Sequence, residues 1–143
     1  MDNQAEREEK SQVKIAYIAG PMTPHGNRLD TQNAAIEYLL NIRDMVQVAI
    51  GLIQKGYAPY CPALDYQYFL SLPNFLRTAT CYGEPITEDG IKAISMAFLE
   101  VSDIIVLLPG WEASEGCLAE YSRAVEIGMP SFYGVKSVPD AKV

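Results

Sequence analysis

The sequence lacks the side chains from which metal sites and nucleophilic triads are usually built. It has one histidine, His25, and its three cysteines, Cys61, Cys81 and Cys117, are widely spaced with no CxxC pair. No zinc-binding set of cysteines and histidines can be assembled from them, so we expect no metal. A single histidine also makes a Ser-His-Asp or Cys-His arrangement hard to assemble. The odd number of cysteines fits reduced thiols in a cytoplasm.

Basic clusters and long apolar runs are missing as well. Eleven basic residues stand against eighteen acidic ones, for a net charge of −7, and no Lys/Arg cluster is present that would follow a phosphate backbone. No apolar run reaches the roughly 18 residues that span a bilayer, and the first twelve residues are polar, unlike a signal peptide. We expect a cytoplasmic protein that acts on a small molecule, with neither nucleic acid nor a membrane as partner.

Motifs for dinucleotides and for serine hydrolases are not found. The stretch "GPMTPHG" (20–26) contains neither GxGxxG nor GxxxxGK[ST], and the chain has no GxSxG elbow. A dinucleotide-binding function is therefore disfavoured.

The chain does have a regular alternation of apolar strands and helices. Its 143 residues, 49% of them hydrophobic, fit one compact domain. The pattern predicts strands at 13–21, 57–62, 103–110 and 130–135, and helices at about 31–55, 87–102 and 114–128. Such alternation indicates an α/β fold with a parallel sheet of four to five strands, covered on both faces.

Three segments surround or interrupt this pattern. We expect a disordered polar tail over residues 1–12, a single domain over 13–135 and a loose tail over 136–143. The aromatic-rich segment 63–85, which contains proline and glycine interruptions, is interpreted either as an irregular lid or wall or as packing only.

Glu120 lies on the side of its helix where a carboxylate is not expected. At about 100° per residue, Glu120 shares a face with Cys117 and Ala124, whereas Glu115 and Glu126 lie on the opposite side. Ionised carboxylates are almost never buried without a partner. Either the helix boundary or phase differs from this prediction, or Glu120 pairs with a core arginine or tyrosine, or it belongs to a functional site. In open parallel sheets, ligands bind beyond the carboxyl ends of the strands, where this helix begins.

A carboxylate beside a tyrosine-rich cleft suits attack on the anomeric carbon of a sugar. The blocks "YIAGPM" and "SDIIVLLPGWEASEG", followed by Glu120, Ala124 and Gly128, resemble the nucleoside 2-deoxyribosyltransferase superfamily, including its nucleoside 5'-monophosphate N-glycosidase branch. The blocks are most similar to an uncharacterised bacterial and phage subgroup, and the resemblance covers about residues 14–135. It implies a flavodoxin- or Rossmann-like three-layer sandwich.

The resemblance also implies an activity. Glu120 would attack C1' of a (deoxy)nucleoside or nucleoside 5'-monophosphate, release the base and pass the sugar to water or to another base. No metal or organic cofactor is implied. Because relatives complete their sites with residues of a neighbouring subunit, we expect a homo-oligomer, a dimer or larger.

Other site residues follow from the same resemblance. Tyr17 matches a tyrosine that lies near the nucleophile in relatives, although a structural role in the core is an alternative. Ser114 matches a phosphate-binding serine of the nucleotide-hydrolysing members, and it also suits a helix N-cap. Trp111 either stacks on a base or shields the loop. The full set of expected substrate-binding residues is Gly20, Pro21, Met22, Gly26, Asn27, Arg28, Trp111, Ser114 and Gly116.

One position departs from the family pattern. Relatives usually have a second catalytic aspartate where this chain has Ser95. We expect the acid role to move to Asp89 or to its neighbour Glu88. The alternatives are a nucleotide-binding protein with impaired catalysis, or a module directed at NAD or ADP-ribose.

Overall fold

The computed structural model describes residues 12–21, 32–66 and 88–141. Residues 1–11 of the expected polar tail and most of the aromatic segment 63–85 lie outside the described residues. The regular elements are, in chain order, β1 (Ile15–Ala19), α1 (Gln32–Gln54), β2 (Ala58–Tyr60), a 3-10 helix (Pro62–Tyr66), α2 (Glu88–Glu100), β3 (Ile104–Leu107), a 3-10 helix (Trp111–Ala113), α3 (Glu115–Glu126), β4 (Ser131–Tyr133) and a 3-10 helix (Val135–Ser137).

The four strands form one parallel sheet in the order β2-β1-β3-β4. The central strands are apolar on both faces, and every residue of β3 is buried, as expected when helices cover a parallel sheet on both sides. The edge strands have three residues each and are partly exposed. All four predicted strands and all three predicted helices are confirmed, with ends shifted by a few residues.

Alternate residues of β1 divide the core into two layers. Ala16 and Ile18 face α1, whose side chains Met45 and Leu52 are buried against them. Tyr17 and Ala19 face the opposite way and pack in a second buried cluster with residues from α2 and α3. Period-two alternation in a strand requires this division. The result is the expected Rossmann-like three-layer α/β sandwich, with Tyr17 inside the α2/α3 layer.

The amino ends of the two central strands are joined by a side chain as well as by the ladder. The Ile15 backbone N–H donates to Asp103 Oδ2 at 2.6 Å, and the Asp103 backbone N–H donates to the Ile15 carbonyl at 2.8 Å. Asp103 therefore fixes the start of β3 against the start of β1.

Helix α1 is long, at 23 residues. Neither α1 nor any other helix in the described part of the chain is long and apolar enough to cross a membrane.

The loose tail expected over 136–143 differs from the structure as far as Ala141. Val138 is only 2% exposed and belongs to the α1-side core. The Tyr57 hydroxyl donates to the Pro139 carbonyl at 2.8 Å, and the Ala141 N–H donates to the Lys55 carbonyl at 2.9 Å. This part of the prediction is wrong because a buried valine and partners in the turn after α1 hold the segment in place.

Replacing Val138 with Ala tests this packing. Removing two buried methyl groups should lower the free energy of unfolding by about 1–3 kcal/mol, measured by urea denaturation. Val101→Ala, at a position that is 62% exposed, is the matched control and should change stability by less than about 0.5 kcal/mol. Equal unfolding midpoints for the Val138→Ala variant and the wild type would show that the segment does not contribute to the core.

Candidate active site at Glu120 and Tyr17

The loop after β3 sets the position of α3 and thereby of Glu120. Gly110 has a positive φ of 88°, which a residue with a Cβ adopts only with strain. After one turn of 3-10 helix, the Ser114 side chain accepts a hydrogen bond from the Cys117 N–H at 3.4 Å. The N-cap interpretation of Ser114 is therefore confirmed, and Glu120 lies in the second turn of α3.

Glu120 is half-buried, whereas Glu115 and Glu126 of the same helix are exposed, as the helical phase predicts. The Glu120 carboxyl group lies beside the hydroxyl of Tyr17, which β1 presents from the opposite side of this layer. The Tyr17 side chain is fully buried. Its Oη atom has no partner in hydrogen-bond geometry among the described residues. A buried polar atom without a partner is costly, which makes it a feature that needs a functional explanation.

The environment shifts the pKa values of both groups. Burial raises the pKa of Glu120 to about 7, and the neighbouring Tyr17 hydroxyl acts in the opposite direction. Burial, followed by the charge of Glu120, raises the pKa of Tyr17 above its ordinary value. Near neutral pH, Glu120 is therefore divided between acid and carboxylate, while Tyr17 stays a neutral hydroxyl that can donate to it.

Tyr60 extends the site across the sheet. It is the register partner of Tyr17 on the adjacent strand, and the two ring centroids are 5.5 Å apart. The Tyr60 ring stacks on Phe98 of α2 with 4.3 Å between centroids. Aromatic pairs at these distances stabilise a fixed ring position, so the Tyr60 hydroxyl is held at the carboxyl end of β2.

A second carboxyl group, that of Asp65, contacts the Tyr60 side chain. Asp65 lies in the 3-10 helix that follows β2, and the Tyr60 hydroxyl donates a hydrogen bond to its Oδ2 atom. The Ser95 hydroxyl, which is buried in α2, lies 3.4 Å from the same oxygen and 3.2 Å from the Ile91 carbonyl. Ser95 also lies beside the Tyr17 hydroxyl. Sequence reasoning missed Asp65 and Tyr60, although both lie at the carboxyl end of a strand, where a site is expected.

The residues expected to replace the missing acid lie elsewhere. Asp89 is exposed in the first turn of α2. The buried row of that helix is Ile91, Ser95 and Leu99, and Asp89 is on the opposite side by helical phase. The structure therefore does not bring Asp89 to the Glu120–Tyr17 pair. The structure does not describe the side chain of Glu88.

The strand-one loop is described only at its beginning. Gly20 is buried, and a Cβ there would stand 3.2 Å from Leu108 Cβ and 3.3 Å from Met45 Cε, so close packing alone explains a glycine. Pro21 is half-buried and lies close to Gly110 of the β3 loop. The other expected substrate-binding residues of this loop lie outside the described residues; they are Met22, Gly26, Asn27 and Arg28.

Trp111 and Gly116 complete the predicted set. The half-buried Trp111 ring contacts Tyr121 and Tyr133, with centroids 4.8 and 6.2 Å away. These contacts agree with a shielding role for Trp111. Gly116 is exposed in the first turn of α3, and a Cβ there would meet only the Ser114 hydroxyl at 3.9 Å. As far as the described residues show, the amino end of α3 is open above Gly116.

Two clefts among the described residues lie away from Glu120. One, of about 440 Å³, is lined by Glu100, Asp103 and Met129 at the amino ends of the strands. Another, of about 350 Å³, lies beside α1 and is lined by Asp44 and Leu108 among others. Ligands of open parallel sheets bind at the carboxyl ends, so neither cleft displaces the Glu120–Tyr17 site. Among the described residues, no group of three or more His, Cys, Asp or Glu side chains is arranged to hold a metal ion.

Most of the chain matches a known family. Residues 14–133 match the family described as "Domain of unknown function (DUF4406)". A search of curated proteins finds no match.

Replacing Glu120 with Gln tests the raised pKa by its effect on stability. The pKa of Glu120 rises from 4.5 to about 7 on folding, so the folded protein keeps a proton that the unfolded chain has already lost. The neighbouring Tyr17 and Cys117 stay neutral in this range, since burial raises the pKa of Cys117 to about 11. The contribution of protonated Glu120 to the free energy of unfolding is fully present below pH 4.5 and is lost as the pH rises to 7.

Because an amide cannot ionise, Glu120→Gln should match the wild type below about pH 4.5 and be more stable above pH 7, by about 1–3 kcal/mol. The measurement is the free energy of unfolding by urea at several pH values. Glu115→Gln, at an exposed position of the same helix, is the control and should show no such gain. Parallel pH curves for Glu120→Gln and the wild type would contradict a buried, ionisable Glu120.

Proposed function

The chain belongs to the DUF4406 family, and we propose that it cleaves the N-glycosidic bond of a (deoxy)nucleoside or nucleoside 5'-monophosphate, with Glu120 as the nucleophile. In this proposal the family is a branch of the nucleoside 2-deoxyribosyltransferase superfamily. The observation that carries the proposal is the half-buried Glu120 carboxyl group beside the buried Tyr17 hydroxyl, which has no hydrogen-bond partner in the described part of the chain.

The proposed reaction has two steps. A Glu120 carboxylate oxygen forms a bond to C1', and the bond from C1' to the base nitrogen breaks with its electron pair on the base, which takes up a proton. Water, or an N–H nitrogen of a second base, then bonds to C1' and gives up a proton, and the ester bond from C1' to Glu120 breaks with its electron pair on the carboxylate oxygen. No metal or cofactor takes part in either step.

The surroundings of Glu120 suit this role. At its raised pKa of about 7, about half of the population is ionised at neutral pH. Poorly hydrated carboxylates are better nucleophiles than fully solvated ones, because less water must be removed before attack. The neutral Tyr17 hydroxyl can donate a hydrogen bond to Glu120, which orients the carboxylate and stabilises it when the glycosyl ester breaks.

The first experiment identifies the substrate class. Purified protein is incubated with a panel of nucleosides, nucleoside 5'-monophosphates and NAD, and free base is measured by chromatography. Base release supports the glycosidase. Binding without release would favour the alternative, a nucleotide-binding protein with impaired catalysis, which the hydroxyl of Ser95 in place of a carboxylate makes the main rival. Release from NAD alone would favour the NAD-directed module.

Glu120→Gln tests the nucleophile. Because an amide cannot form the glycosyl ester, kcat should fall by about 10³-fold or more while the fold is kept. The control is Glu115→Gln, which alters an exposed glutamate of the same helix and should keep the wild-type rate. Base release by Glu120→Gln at the wild-type rate would contradict the assignment of Glu120 as the nucleophile.

Ser114→Asp tests whether a 5'-phosphate binds at the amino end of α3. Free N–H groups and the positive end of the helix dipole favour an anion there, and no described residue covers Gly116 in the first turn. Aspartate is as good an N-cap as serine, so the variant keeps the helix start while adding a negative charge.

The measurement is kcat/KM for one deoxynucleoside and its 5'-monophosphate. The wild type should prefer the monophosphate, and Ser114→Asp should reduce that preference by about tenfold or more, since one repelling charge near the phosphate costs about 1.4 kcal/mol or more. Activity on the free nucleoside should change little. Equal kcat/KM values for the two substrates on the wild type would favour the deoxyribosyltransferase over the nucleotide hydrolase.

A further inference from the structure

Asp65 is the second carboxyl group in the same side-chain network as Glu120. The network runs from Glu120 to the Tyr17 hydroxyl, then to the buried Ser95 hydroxyl, and from Ser95 to Asp65 Oδ2 at 3.4 Å. The Tyr60 hydroxyl donates to the same Asp65 oxygen. These side chains come from two strands, two helices and a 3-10 helix, so the network is assembled only in the folded chain.

The chemistry of the proposed reaction requires a second acid. Cleavage of a glycosidic bond by a carboxylate nucleophile needs a proton for the leaving group, which a second carboxyl group supplies in most such enzymes. Helix α2 offers a hydroxyl at position 95, and its exposed Asp89 lies on the far side of the helix. The 3-10 helix after β2 brings a carboxyl group to the Ser95 hydroxyl from another element.

We propose that Asp65 is the general acid and base of the site and acts on the leaving base. This inference rests on the proposed N-glycosidase function. In the first step, Glu120 bonds to C1', the C1'–N bond breaks with its electron pair on the base nitrogen, and the Asp65 carboxylic acid gives that nitrogen its proton. In the second step, the Asp65 carboxylate takes a proton from water, the water oxygen bonds to C1', and the ester bond to Glu120 breaks.

The two hydroxyl groups on Asp65 Oδ2 act as positioning groups. A proton on Oδ1 leaves Oδ2 as the acceptor for Tyr60 and Ser95. Tyr60 is itself fixed by its stack on Phe98. Hydroxyl groups adapt to either protonation state because they rotate and can donate or accept, so the same arrangement serves both steps.

The test compares two leaving groups. The probes are 2'-deoxyguanosine 5'-monophosphate and its 7-methyl derivative, whose cationic base departs without gaining a proton. Asp65→Asn keeps the size and an acceptor oxygen for Tyr60 and Ser95 but cannot transfer a proton. We expect the single-turnover rate of base release, which reports the first step alone, to fall by about 10²-fold or more on the unmethylated compound and to stay within a few-fold of the wild type on the methylated compound.

Two further variants keep the test decisive. Asp44→Asn removes an exposed aspartate on α1, on the other face of the sheet, and should behave as the wild type with both probes. Asp65→Glu keeps a carboxyl group and should retain more activity on the unmethylated compound than Asp65→Asn; it also serves if Asp65→Asn does not fold.

The outcomes separate this inference from the function beneath it. Equal loss with both probes, or no loss with either, would overturn the role of Asp65 while leaving Glu120 as nucleophile, provided Glu120→Gln is inactive. No base release by the wild type from either probe, or from any nucleoside or nucleoside 5'-monophosphate of the panel, would overturn the N-glycosidase proposal, and the role of Asp65 with it.

Discussion

The burial of Tyr17 in the central strand β1 determines where polar chemistry is placed in this protein. Because strand residues alternate between faces, the chain that buries Ala16 and Ile18 under α1 must direct Tyr17 into the α2/α3 layer. The Tyr17 hydroxyl lies deep in a hydrophobic layer, so it needs polar side chains beside it. Glu120, Ser95 and Tyr60 meet it from three different elements, which makes a polar centre inside an apolar core.

Such a centre is costly to maintain. Burying a hydroxyl without a satisfied hydrogen bond costs about 1–3 kcal/mol, and holding a carboxyl group with a pKa of about 7 in the same layer adds an electrostatic cost at neutral pH. A phenylalanine at 17 and an apolar residue at 120 would fill the layer without either cost. Proteins retain such locally unfavourable arrangements at active sites. The cost of keeping Tyr17 and Glu120 in this layer is therefore the physical reason to interpret them as functional.

Much of the architecture could be predicted from the sequence because it is local. The apolar run of β3 and the helical phase of Glu120 both depend on neighbours within a few positions. Asp65 could not be predicted, because its relation to Ser95 depends on how a loop after β2 meets a helix about thirty residues away. The packed segment around Val138 could not be predicted for a similar reason, because it depends on hydrogen bonds from its backbone to residues more than eighty positions earlier.

A serine, rather than a carboxyl group, at position 95 has a physical rationale. Position 95 is 7% exposed, so an aspartate there would place a second charge in the buried layer with Glu120. Two nearby carboxylates in a low-dielectric layer cannot readily ionise together. Asp65 is half-buried in a 3-10 helix, where water can solvate part of the group, and it contacts the network through Ser95 and Tyr60. Serine at 95 thereby keeps a second carboxyl group out of the buried layer, while its hydroxyl contacts the Asp65 carboxyl group from the neighbouring 3-10 helix.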